Sequence, residues 1–190
     1  DASDSVAAVK RVVKAMALDE ERYPPKQAAY FISGSKEEGL RPQNIDAPDP
    51  HTAKLIEVYA AYEAQCQREG VVDFGELMLR SYELMRDNDA VREHYRRRFA
   101  HVLVDEFQDT NKLQYKWLQL LAGEHTAVFA VGDDDQSIYA FRGANVANMR
   151  HFERDFARPG MPVRIVKLEQ NYRSHGNILD AANALIKHNQ

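Results

Sequence analysis

A chain of 190 residues can bury a full core in one or two domains, and 44% hydrophobic with 28% charged residues is ordinary for a globular protein. The net charge of −4, with neither half of the chain basic, argues against a generally basic nucleic-acid coat, although a local groove can still be positive. A single cysteine, Cys66, excludes an internal disulfide framework; with no signal peptide and no membrane-length apolar run, the expectation is a cytoplasmic protein without a membrane partner.

The chain opens at Asp1 directly on a helical pattern, as an excised piece of a longer protein would. Val6, Val9, Val13 and Met16 share one face behind a capping candidate at Ser3 or Asp4, which predicts a first helix to about Leu18. Pro24-Pro25 opens a second with Ala28, Phe31 and Ile32 inward, failing near Gly39, and the proline-rich stretch from Gly39 to Pro50 is a loop. Asp49-Pro50 starts a long helix with Leu55, Tyr59, Tyr62 and Cys66 on its inner face, and Gly70 stops it. Asp73 with Glu76 makes an Asp variant of a capping box, opening a helix with Leu77, Met78, Leu84 and Met85 inward. A short basic helix spans Asp89 to Arg98, whose Arg96-Arg97-Arg98 reads as a solvated face more readily than as a phosphate contact.

After Phe99 the period changes. Strand 102–104, helix 111–122 (Leu113, Trp117, Leu120 and Leu121 inward) and strand 126–131 predict a βαβ unit with a right-handed crossover, the first strand apolar without alternation as suits burial on both faces. A helix across 144–157 with Phe152 and Phe156, a third strand from Val163 to Leu168, and a last helix capped by Ser174 with Ile178, Ala182, Leu185 and Ile186 inward complete the reading. The first strand ends in Asp105-Glu106 and the second in Gly132-Asp133-Asp134-Asp135-Gln136, so neighbouring strands would deliver carboxylates and an amide to one rim. Adjacent Asp and Glu at a strand end suit nucleotide hydrolysis, one carboxylate for magnesium and its water shell, the other for the attacking water. Taken alone, the pair is equally a surface turn of acids. The histidines show no metal-ligand spacing with Cys66 or with each other, so no zinc site is expected.

Val104-Asp105-Glu106-Phe107-Gln108-Asp109-Thr110, then Gly132-Asp133-Asp134-Asp135-Gln136-Ser137-Ile138-Tyr139-Ala140-Phe141-Arg142-Gly143-Ala144, then Leu168-Glu169-Gln170-Asn171-Tyr172-Arg173-Ser174 resemble motifs II, III and IV of the UvrD/Rep/PcrA family of superfamily 1 DNA helicases. The helical first half resembles that family's inserted 1B subdomain, including Pro24-Pro25 and Gly39-Leu40-Arg41-Pro42. The resemblance implies an α/β protein: a helical 1B-like subdomain over 1–98, then an incomplete RecA-like parallel α/β core, with part of domain 1A over 99–166 and the beginning of domain 2A over 167–190. It implies ATP and magnesium as cofactors, Asp105 as the magnesium-holding acid, Glu106 as the catalytic base and Gln136 as the side chain facing the γ-phosphate. Tyr172 resembles the tyrosine that stacks on adenine, and Arg173 the arginine that reaches the γ-phosphate. Tyr139 and Phe141 match aromatics over which single-stranded bases pass, with Arg142 beside them as a nucleic-acid contact; core packing is the commoner fate of such aromatics. Phe141 departs from the family's usual tryptophan toward a RecB-like branch, whereas Asp134-Asp135 points back to UvrD and Rep.

No glycine precedes a lysine, so a Walker A loop and its strand are missing from this chain. The expectation is that the chain alone does not turn over ATP and binds DNA weakly or not at all, and that its parent moves 3′ to 5′ on single-stranded DNA and unwinds single/double-strand junctions. Its partners would then include the missing helicase domains, and the strand ending at Val131 would keep an open apolar edge prone to self-association. Two other readings stay open: a non-enzymatic DNA- or protein-binding module, and the helicase part of a RecB-like helicase-nuclease.

Overall fold

The computed structural model describes residues 2–133, 147–158, 160 and 162–187. α1 (Ala2–Ala15), α2 (Pro25–Glu37) and α3 (Pro50–Glu69) surround one apolar cluster built from Val9, Val12, Val13, Ile32, Val58 and Tyr59. Their ends are written locally. Asp49 accepts from the Thr52 backbone N–H at 2.9 Å to start α3, and Gly70 takes the left-handed φ of 67° that closes it. Ser3 and Asp4 lie inside α1 rather than capping it, and α1 stops at Ala15, short of Leu18. Tyr59 and Tyr62 are core residues, as their spacing predicts.

α4 (Phe74–Asp87) and α5 (Asp89–Arg98) begin on the caps Asp73 and Asn88, which accept from the N–H groups of Glu76 and Val91. Only half of the expected capping box forms, because the Glu76 carboxylate is diverted into a buried network. Lys36, 2% exposed, meets Asp73 at 2.8 Å and Glu76 at 3.0 Å; Arg41 bonds Glu76 at 2.9 Å, Glu83 at 2.6 Å and also Glu63. Tyr62 donates to Asp73 at 2.8 Å, so α2, α3, α4 and the loop between α2 and α3 share one set of charges. Burial pushes Glu76 up, yet Arg80, Lys36 and Arg41 outweigh it and hold this carboxyl down at about 2. The same diversion corrects the inner face expected of α4: Leu79 and Met85 are buried with Glu76, whereas Leu77 and Leu84 stand exposed.

β1 (His101–Val104) and β2 (Ala127–Ala130) form a parallel two-stranded sheet, joined by α6 (Lys112–Leu121). Asn111 and Gln114 cap α6 reciprocally. α6 turns Leu113, Tyr115, Leu118 and Leu121 inward, so Tyr115 and Leu118 take the places expected of Trp117 and Leu120. Trp117 instead half-buries against α4, its indole N–H donating to the Ser81 hydroxyl at 3.0 Å. α6 therefore packs on two sides, and a single stripe does not describe it.

Among the described residues the sheet has one covered face, not two. Phe107, Tyr115, Phe152 and Phe156 lie over Val102, Val104, Val128 and Ala130. The period of two sends Leu103 and Phe129, which are register partners, to the opposite side, where they are 75% and 60% exposed. The expected third strand does not form: residues 162–170 carry no regular structure, and Ile165, Val166 and Leu168 are exposed. β-branched composition favours a strand only where a neighbouring strand takes its backbone groups, and the described sheet stops at two. α7 (Ala147–Phe156) falls within the expected 144–157. α8 (Gly176–Ile186) follows His175, which makes no side-chain cap bond, so Ser174 is not its cap; none of its residues is buried, contrary to the inward set expected. No helix among the described residues is long and apolar enough to cross a membrane.

Candidate functional site

Parallel pairing in the register His101↔Ala127 through Val104↔Ala130 brings the carboxyl ends of β1 and β2 to the same rim. Past the last ladder pair the chains stay joined, Val131 N–H donating to the Val104 carbonyl at 2.8 Å and Phe107 N–H to the Val131 carbonyl at 2.9 Å. Asp105 and Glu106, caught between those bonds, are exposed on the rim. Ladder bonds on both sides leave them little freedom of position.

Glu106 adopts φ 50° and ψ 43°, left-handed backbone that costs a residue with a Cβ roughly 1–3 kcal/mol. The next four residues hold it there. Phe107 is fully buried, with ring centroids 5.3 Å from Phe152 and 6.0 Å from Tyr115. The Asp109 N–H donates to the Glu106 carbonyl at 2.9 Å, closing a 3-10 turn over Phe107–Asp109. The Thr110 hydroxyl donates to the Phe107 carbonyl at 2.7 Å, and buried Asn148 of α7 donates to the Thr110 carbonyl at 3.0 Å. Burying Phe107 thus turns the two preceding carboxylates outward.

Two buried polar residues of this turn are not singled out by their sequence pattern. Gln108, 1% exposed, donates to the Glu106 carboxylate at 2.7 Å and accepts from the Asp133 N–H at 3.1 Å. Asn148 ties α7 to the same turn. Gln108 stands inside the motif, where its exposed acidic neighbours carry the stronger signal; Asn148 carries no local signal. A buried oxygen of Asp109 has no hydrogen-bond partner among the described residues.

Of the residues singled out from sequence, the structure brings Asp105 and Glu106 together and sets Asp133 beside them through Gln108. Gln136, Tyr139, Phe141 and Arg142 lie outside the described residues. Tyr172 and Arg173 are exposed on a bend where the Asn171 side chain accepts from the N–H groups of Arg173 and Ser174 at 2.8 and 2.9 Å; among the described residues no hydrogen bond or ion pair joins them to the acidic pair. Arg96 leaves solvent to donate to the Leu120 carbonyl at 2.8 Å, whereas Arg97 and Arg98 are exposed. A cavity of about 500 Å³ lies in the helical region instead, lined by Lys36, Arg41, Asp73, Glu76 and neighbours. Its buried cations are each paired with carboxylates, so it offers an anion no uncompensated charge.

The rim chemistry is that of hard oxygen donors. An exposed aspartate at a strand end fits magnesium arriving with a nucleotide, since that ion takes one or two protein carboxylates and fills its remaining positions with phosphate and water. Among the described residues no group of three or more His, Cys, Asp or Glu side chains is placed to hold a metal by itself.

In open parallel sheets ligands bind past the carboxyl ends of the strands, where the acidic pair stands, and the chain matches the UvrD/REP helicase N-terminal domain over residues 1–157. It belongs to that family. DNA helicase II of Escherichia coli is 51% identical over 190 residues, all of this chain and 26% of that protein. DNA helicase II of Haemophilus influenzae is 47% identical over 190 residues, all of this chain and 25% of that protein, and the ATP-dependent DNA helicase PcrA of Leuconostoc citreum is 40% identical over 191 residues, with the same shares. The chain spans about a quarter of the length of these curated relatives.

Proposed function

We propose that this chain is part of an ATP-dependent DNA helicase or translocase, in which ATP hydrolysis at the sheet rim drives 3′ to 5′ movement on single-stranded DNA and opening of the duplex at junctions. The observation that carries the reading is the parallel register of β1 and β2, which sets the carboxylate pair and the loop opening at Asp133 on one rim. The names of the relatives, DNA helicase II and ATP-dependent DNA helicase PcrA, supply the activity.

In this reading residues 1–98 are the 1B-like subdomain, 99–166 part of a RecA-like domain 1A and 167–190 the start of domain 2A, in a cytoplasmic protein. Asp105 holds the magnesium that comes with ATP, and that ion offsets charge on the phosphates. Glu106 orients the attacking water and takes its proton, a role its exposed carboxylate beside Asp105 allows. Gln136 faces the γ-phosphate, Arg173 reaches it across the cleft, and Tyr172 stacks on adenine. Tyr139, Phe141 and Arg142 meet single-stranded DNA. The chain by itself carries no Gly-Lys pair to cradle the β- and γ-phosphates, so it is not expected to turn over ATP alone.

The test is Glu106→Gln in a full-length helicase carrying this segment. Loss of a general base is expected to lower DNA-stimulated kcat by roughly 10²–10⁴-fold while nucleotide binding persists. Hydrolysis at the unaltered rate would end the proposal.

A further inference from the structure

Gln108 is a neutral side chain taken almost wholly out of water, a position that is unfavourable for an amide unless both ends are bonded. Two of its partners come from different chain segments. Its Nε2 donates to the Glu106 Oε2 at 2.7 Å, and its Oε1 accepts from the Asp133 backbone N–H at 3.1 Å, beyond the end of β2. An ionised carboxylate only accepts and a backbone N–H only donates, so this orientation is the one that satisfies both, and turning the amide over would lose both bonds. Glu106 itself sits on left-handed backbone, at a place where the local turn determines the direction of the chain but not the angle of the carboxylate. Gln108 supplies that second restraint.

We infer that Gln108 is a positioning residue for the reaction: it aims the Glu106 carboxylate and ties that aim to the loop leaving β2 at Asp133. This rests on the reading of Glu106 as the base. It goes beyond that reading because Gln108, itself buried, acts through the Glu106 carboxylate it holds. A change in the position of residue 133 is passed to the base through one buried amide, without any movement of β1.

Two replacements separate the aim from the packing. Gln108→Met keeps the length and apolar volume of the stem but cannot donate to Glu106, and its thioether accepts only weakly. Gln108→Glu keeps an oxygen for the Asp133 N–H and sets a carboxylate where Glu106 needs a donor. In a full-length helicase carrying this segment, both are expected to lower kcat for ATP hydrolysis by roughly 10–100-fold with KM for ATP held within about twofold; the melting temperature should change little in Gln108→Met and fall in Gln108→Glu, which buries a second carboxylate against Glu106. Unchanged kcat in both variants would overturn the inference. So would a kcat loss in Gln108→Met that appears only with a lowered melting temperature, or failure of both variants to fold, because each assigns Gln108 to the fold alone; a loss that appears only with a raised KM would assign it to nucleotide binding and overturn the inference too. Glu106→Gln, measured alongside, distinguishes the two levels: if it too leaves hydrolysis intact, the base assignment fails; if it abolishes hydrolysis while both Gln108 variants turn over normally, only the positioning role fails.

Discussion

Lys36 in the helical region and Gln108 in the sheet region are both almost fully buried polar side chains, 2% and 1% exposed, yet they sit in opposite kinds of surroundings. Lys36 closes a circuit. Its ammonium is shared by Asp73 and Glu76, the same Glu76 is shared with Arg41 and Arg80, and Arg41 reaches on to Glu83. Gln108 is the inner end of an open arrangement, whose outer end is a carboxylate facing water on left-handed backbone. A closed circuit of buried charge leaves nothing for a ligand and contributes by holding helices in one arrangement; an open one spends local stability to present a reactive group. The apolar surfaces divide the same way. Val9, Val13, Val58 and Tyr59 are sealed around one cluster, whereas Leu103 and Phe129 stand out from the sheet.

The sharpest way to break the comparison is to open the circuit. Lys36→Met leaves the Asp73 and Glu76 carboxylates in a largely buried site short of one cation, and a loss of about 3–5 kcal/mol in unfolding free energy by urea titration is expected. Asp105→Asn on the rim removes an exposed charge and is expected to stay within about 0.5 kcal/mol of the parent. Comparable losses from the two would show that the regions do not differ as described.

Acid titration probes the same circuit with a smaller expected effect. The folded Glu76 carboxyl is held below its ordinary value, so the stability it contributes is fully present above about 4.5 and disappears as pH falls from there to about 2. The urea midpoint should drop across that window. Glu76→Gln should start lower at neutral pH and show a flatter fall; an equally steep fall in that variant would assign the acid sensitivity to other carboxyls.

The mildest intervention tests the open sheet face. Leu103→Lys or Phe129→Lys replaces an exposed apolar side chain, so stability is expected to change by no more than about 0.5 kcal/mol. If that face or its edge draws copies of the chain together, light scattering at high concentration should show less association in the variants than in the parent. A loss of several kcal/mol in either variant would mean that the face is covered, and the contrast between the two regions would weaken.

Much of the architecture is legible residue by residue where the signal is local. Asp49-Pro50 and Gly70 bound α3, the basic run from Asp89 to Arg98 marks α5, and the Asp105-Glu106 exit from β1 is written in an apolar run ending in acid. The misreadings share a different cause. Leu77 and Leu84 look like the inner face of α4 until Lys36 and Arg41, distant in sequence, claim Glu76 and rotate the choice toward Leu79. Val163 to Leu168 looks like a strand until the sheet, among the described residues, is seen to pair only β1 with β2. Trp117 looks like core until Ser81 of α4 takes its N–H.

The residues by themselves specify much that is set within a turn or so: the caps at Asp49 and Asp73, the stop at Gly70, the placement of the acidic pair just past β1, and through its motifs the family. Tertiary structure alone decided which helix faces look inward, that Leu103 and Phe129 stand exposed on one sheet face, and that Gln108 links Glu106 to the loop at Asp133. The reason is physical. Caps and turns are satisfied by backbone groups a few positions away, whereas burial and buried hydrogen bonds depend on partners that only the folded chain brings within reach.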